Sequence, residues 1–228
     1  MILSDDKKTK KTTKKTSKKV AEQEEVQVTD ERTDEEIAAE IEHILALHAQ
    51  EQQSSKPKIV SLYGDIDEEN ARDVVHGMRI LEADFKEDPE QNSFELLIST
   101  NGGSALEMFA IYDTMRHIKE NASIQTVGLG KVMSAGVLVL AAGTKGKRKI
   151  GKNCRVMIHG VASGYAGQIH SLENELEEIQ WIQEQYIKLL AEETDMTEKY
   201  IKNLISKKVN IYLTAEQAIE YGIADEVF

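Results

Sequence analysis

Long apolar runs, cysteine, aromatic residues and net positive charge are all scarce in this 228-residue chain. The longest apolar run, 137–142, has six residues; a membrane-spanning helix needs about 20, so none is expected. Met1-Ile2-Leu3 leads straight into Asp5, Asp6 and lysines, which leaves no apolar stretch for a secretory leader. A single cysteine, Cys154, excludes an intramolecular disulfide framework and fits a reducing compartment. A net charge of −12 argues against non-specific nucleic-acid binding by the body as a whole. Aromatics are 5% and charged residues 30%, so much of the chain must be solvated, yet 40% apolar content suffices for a core. A cytoplasmic protein of one domain with an appendage is expected.

The appendage comes first. Residues 7–19 hold eight lysines among threonine and serine. Such a segment cannot bury enough apolar area to offset its ordering entropy, so residues 1–32 are read as a disordered tail, Lys-rich and then acidic. The lysine run is either a solvated tail or a binding segment for a polyanion. Over 22–52 the sign reverses, with eleven acidic residues against Arg32 alone. Thr33 followed by Glu36 reads as a capping box. Ile37, Ile41, Ile44, Leu45 and His48 then recur at helical spacing, which predicts an amphipathic helix over about 34–52, with a linker, in a segment spanning 33–56.

From residue 57 the texture becomes α/β. Strands are predicted at 59–63, 94–99, 124–129 and 155–159, and helices at 67–84, 104–119, 168–193, 197–206 and 214–221. The apolar stretch 134–142 reads as a short buried helix. Strands alternating with helices of this length imply βαβ crossovers and a largely parallel sheet.

Three places could carry chemistry. Asn101-Gly102-Gly103 follows the second strand and reads as a two-glycine turn, whose exposed N–H groups can face an anion; no phosphate-loop pattern accompanies it. Ser134, at the start of the short apolar helix, is either a plain N-cap or a nucleophile with an oxyanion hole formed by the N–H groups that follow. His159 ends an apolar strand before Gly160 and is either a general base or a structural histidine. The other histidines form neither HExxH nor a Cys/His cluster, so no metal or other cofactor is expected. Lys131, three residues before Ser134, is a conceivable dyad partner, although a solvated loop lysine fits its position better.

These pieces, in this order, resemble the proteolytic subunit of the Clp protease over about residues 57–228. The resemblance rests on Asn101-Gly102-Gly103, the AIYDTM run at 110–115, Met133-Ser134-Ala135-Gly136 and the AAGTKGKR run at 141–148. It continues through the RVMIH run at 155–159, the GYAGQ run at 164–168 and the AIEYG run at 218–222. The 25 residues between Ser134 and His159 match the family spacing.

The resemblance implies a crotonase-like spiral of ββα units with a long protruding handle helix over 168–193. It further implies a serine endopeptidase that cleaves unfolded polypeptides inside stacked heptameric rings. Ser134 would be the nucleophile, His159 its base, and the Gly103 and Ala135 amides the oxyanion hole. The third catalytic position, an aspartate in the family, falls on Asn210 and predicts reduced activity. The positions matching the cleft that docks an unfoldase ATPase are Glu95, Leu97, His117, Val127, Leu129, Lys149 and Gly151. Glu95, His117 and Lys149 suit apolar docking loops poorly. The family usually has Pro-Gly-Gly where this chain has Asn101-Gly102-Gly103. Other readings stay open: a catalytically weak structural subunit of a mixed complex, a maturation protease acting in virus head assembly, and an acyl-transfer or hydratase enzyme on the same fold.

Overall fold

The structure, a computed structural model, describes residues 33–54, 58–162, 164 and 168–228. The lysine-rich and acidic tail therefore lies outside the described residues, as does most of the 164–168 block. The chain divides into two compact units, Met1–Ser54 and Ser55–Phe228.

The first unit contains α1, Asp34–Ser54. Its start is closed by the capping box read from the sequence. The Glu36 N–H donates to Thr33 Oγ1 at 3.2 Å, and the Thr33 N–H donates to Glu36 Oε2 at 2.9 Å. Ile41, Ile44 and Leu45 on this helix are exposed.

The second unit runs β1 (Ile59–Ile66), α2 (Glu68–Ala83), β2 (Ser93–Gly103), α3 (Ala105–Ile118), β3 (Ser123–Met133) and α4 (Ala135–Ala141). It continues with β4 (Lys149–Ile150), β5 (Arg155–Ile158), α5 (Ile169–Glu193), α6 (Glu198–Ser206), β6 (Ile211–Leu213), α7 (Ala215–Glu220) and β7 (Glu226–Val227). Helix starts follow local chemistry: Asp67, Ser104, Thr197 and Thr214 each accept a hydrogen bond from an amide of the first turn. Strands β1, β2, β3, β4 and β7 pair in parallel in that order. β3 is long enough to serve two branches. Val127 and Gly128 pair with β4, whereas Lys131, Val132 and Met133 pair with β5, which pairs antiparallel with β6.

Alternate residues of β2 (Phe94, Leu96, Ile98, Thr100) point into the core, as period-two patterning requires. Every residue of α4 is buried, which explains why its sequence is apolar all round. The far end of α5 is fixed by a buried carboxylate: Tyr112 Oη and Arg116 both donate to Glu193 Oε1 at 3.0 Å. Arg148 donates to the Glu193 carbonyl at 2.7 Å while paired with Asp225. Burial works to raise the Asp225 carboxyl, but hydrogen bonds from Arg148 and Gly146 outweigh it and hold the group below the usual carboxylate range.

Two features differ from the sequence reading. β4, β6 and β7 were not expected; at two or three residues they are too short to show a period. Asn101-Gly102-Gly103 is not a turn after β2 but its last three residues, because Gly102 and Gly103 pair with Asp65 and Ile66 of β1.

Candidate active site

Ser134 sits between β3 and α4 with φ 55° and ψ −124°. A non-glycine residue pays strain of order 1–3 kcal/mol in such a conformation and holds it only where the surroundings over-determine it. They do so here. The Ser134 N–H donates to the Met157 carbonyl at 2.7 Å, and its own carbonyl accepts from the Val137 N–H at 3.0 Å and from Tyr186 Oη at 3.3 Å. Two glycines make the space. A Cβ on Gly102 would lie 2.5 Å from Ser134 Cβ, and one on Gly136 would lie 2.3 Å from Thr100 Cγ2.

The plain N-cap reading fails, since the Ser134 side chain makes no capping hydrogen bond. Its Oγ lies instead 2.7 Å from His159 Nε2. The sheet explains the meeting: Met133 and Met157 are partners in the parallel β3–β5 ladder, so Ser134, one residue on, and His159, two residues on, emerge from the same end of adjacent strands. Lys131 does not join them; its Nζ donates to Asn101 Oδ1 at 2.8 Å.

Gly103 and Ala135 line the same cavity as Ser134 and His159. The Ser104 N–H donates to the Ile66 carbonyl at 2.7 Å. The Ala135 N–H is the first amide of α4 and has no intrahelical acceptor. Both glycines of the segment have positive φ, 92° at Gly102 and 152° at Gly103, and a Cβ on Gly103 would lie 2.3 Å from the Ile66 carbonyl oxygen.

Asn210 is placed one step beyond the β5–β6 ladder. Ile158 pairs with Ile211, so the antiparallel register puts residue 210 across from His159. Its side chain is exposed, and among the described residues no hydrogen bond joins it to His159. The expected acceptor for the second imidazole nitrogen is thus adjacent in register and not engaged.

The cavity measures about 440 Å³, within the range of ligand clefts. One wall is the start of α3, with Leu106 and Met108; the other is α5, with Glu175, Ile179, Ile182 and Tyr186. Tyr186, which the sequence reading did not single out, lines the cavity and reaches the Ser134 carbonyl. Its signal was a lone hydroxyl in an aliphatic stripe, and burial pushes that phenol well above its ordinary pKa. Thr100 was missed altogether: fully buried, its Oγ1 accepts the Gly102 N–H at 3.0 Å and so steadies the glycine segment.

The family model described as Clp protease matches residues 50–228. The chain is 38% identical over 172 residues to the ATP-dependent Clp protease proteolytic subunit 1 of Corynebacterium glutamicum, covering 75% of this chain and 79% of the relative. It is 37% identical, over 75% of this chain and 78% of the relative, to the ATP-dependent Clp protease proteolytic subunit 2 of Corynebacterium jeikeium. The α/β fold, with its parallel sheet and long α5, is the ClpP-like fold that the resemblance implied, and the chain belongs to the Clp protease family.

Proposed function

We propose that the chain is a serine endopeptidase subunit that cleaves unfolded polypeptide inside a ring-shaped oligomer. The observation that carries this reading is the 2.7 Å contact between Ser134 Oγ and His159 Nε2, at the edge of a cavity that also holds the Gly103 and Ala135 backbone. In the productive tautomer the Ser134 hydroxyl donates to Nε2. As Oγ attacks the scissile carbonyl, His159 takes the proton, and the oxyanion faces the Gly103 and Ala135 amides. His159 then protonates the leaving amine, and water enters by the same route to release the acyl group. The apolar wall of Leu106, Met108, Ile179 and Ile182 suits an apolar substrate side chain.

Exposed apolar residues along α5, among them Leu172, Leu176 and Trp181, support its use as the handle between rings. Polar pairing at the positions aligned with the ATPase cleft argues against docking of strongly apolar loops. Glu95 accepts from Gln125, His117 lies 3.4 Å from Glu82, and Lys149 lies 3.6 Å from Glu226.

One observation favours a second reading, a weakly active structural subunit. With Asn210 not bonded to His159, no side chain among the described residues is hydrogen-bonded to the second imidazole nitrogen to fix the tautomer or stabilise the imidazolium, and loss of the carboxylate in a serine triad elsewhere costs about 10⁴ in turnover. The experiment is steady-state hydrolysis of a fluorogenic peptide by wild type and Asn210→Asp. The substitution should raise turnover roughly ten-fold with KM nearly unaltered, because the new charge acts on the transition state. Adding Ser134→Ala should abolish the gain. Peptide hydrolysis at the wild-type rate in Ser134→Ala would overturn the nucleophile assignment; a fall in turnover for Asn210→Asp would make the amide itself a working third member.

A further inference from the structure

The segment that carries Gly103 has little side-chain support of its own. Two consecutive glycines at positive φ have no side chains to anchor them, and glycine loses the most freedom on ordering. The ladders on both sides are also broken beside it. Between β1 and β2 the register skips from Gly64↔Thr100 to Asp65↔Gly102, which leaves Asn101 without a partner. Between β2 and β3 it skips from Ile98↔Gly128 to Thr100↔Val132, which leaves Leu129, Gly130 and Lys131 without partners in β2. Bulges of this kind beside active sites re-aim side chains.

Side chains close both gaps. The Lys131 ammonium donates to Asn101 Oδ1 at 2.8 Å, and Asn101 Nδ2 donates to Asp65 Oδ1 at 3.0 Å. Asp65 is itself held, its carbonyl accepting from Asn70 Nδ2 at 2.8 Å. The relay spans the ends of three adjacent strands, and its central residue immediately precedes Gly102-Gly103. Its outer member lies three residues before Ser134.

We propose that Lys131 and Asp65 are positioning residues that act through Asn101 to hold the Gly103 amide in register with Ser134. The amide serves only if it is held within about 0.5 Å of its productive place. The ammonium-to-amide bond is charge-assisted, which suits it to that task. This inference rests on Ser134 being the nucleophile. Asp65 and Asn101 are exposed and Lys131 is half-buried, so replacing them leaves the core intact.

The test compares kcat, KM and the rate of fluorophosphonate labelling at Ser134 in Asn101→Ala, Lys131→Met, their double variant and Lys131→Arg. Removing a whole oxyanion donor costs about 10²–10³; a misplaced one should cost about ten-fold in kcat and in labelling rate, with KM unchanged. The double variant should lose no more than Asn101→Ala alone, and Lys131→Arg, which keeps the donor, should recover most of the rate. Labelling of Asn101→Ala at the wild-type rate, a change confined to KM, or losses that multiply in the double variant would each overturn the relay while leaving Ser134 as nucleophile. A wild-type protein that is not labelled at Ser134 would overturn both.

Discussion

Replacing His159 with alanine should lower peptide turnover about 10²-fold in the wild-type background and about 10³-fold in Asn210→Asp. The two figures follow from how serine triads fail. Removing the serine, the histidine or all three members costs about 2 × 10⁶, whereas removing the carboxylate alone costs about 3 × 10⁴. A site whose third position makes no bond to the imidazole has already lost most of the larger figure. What remains for His159 to supply is the ratio of the two, close to 10². Restoring a carboxylate at 210 should make His159 matter more. In either background Ser134→Ala and His159→Ala should be equally damaging and their combination no worse, because a base without its nucleophile contributes nothing. Turnover measured at saturating peptide checks this. Losses that multiply would mean that the 2.7 Å contact is not the reacting pair.

Gly102→Ala should cost turnover about 10²-fold or more. The new Cβ would fall 2.5 Å from Ser134 Cβ and 2.8 Å from the Met133 carbonyl oxygen, at φ 92°. One of those neighbours is backbone and the other is the Cβ of Ser134, so relief must come from moving Ser134 or the Gly103 amide. A shift of about 1 Å at a reacting centre is enough for a 10²-fold loss. Gly146→Ala is the matched control. Its φ is 82°, but a Cβ there meets nothing within 4 Å. It should lower stability by about 1–2 kcal/mol and leave turnover within about two-fold. Thermal melting alongside kcat separates the two effects. Equal turnover losses in both variants would mean that Gly102 matters only for backbone strain.

The order β1–α2–β2–α3–β3 was legible because the hydrophobic period switches between two and 3.6 at each boundary, with Asp67 and Ser104 marking two helix starts. α4 was legible from an apolar run too short to span a membrane and too continuous to face water. β4, β6 and β7 were not, since two or three residues carry no period and their pairing is decided by distant strands. The glycine pair misled for a related reason: glycines signal a turn locally, and only the partner strand shows that they continue β2. Ser134 and His159 taken singly read better as a cap and a structural histidine. What distinguishes them is a tertiary meeting, 25 residues apart in sequence and 2.7 Å apart in space. Asn210 shows the opposite limit: motif order placed it beside His159, and the register agrees, but whether its side chain turns inward is decided by the loop before β6.

The most direct measurement is reaction of the intact, folded protein with a fluorophosphonate probe, followed by peptide mapping. The chain holds many serines, yet Ser134 alone has its Oγ within hydrogen-bond distance of an imidazole nitrogen among the described residues. Labelling confined to the peptide that carries Ser134, and lost in Ser134→Ala and in His159→Ala, is the expected result. Labelling at another serine, or none while peptide hydrolysis continues, would contradict it.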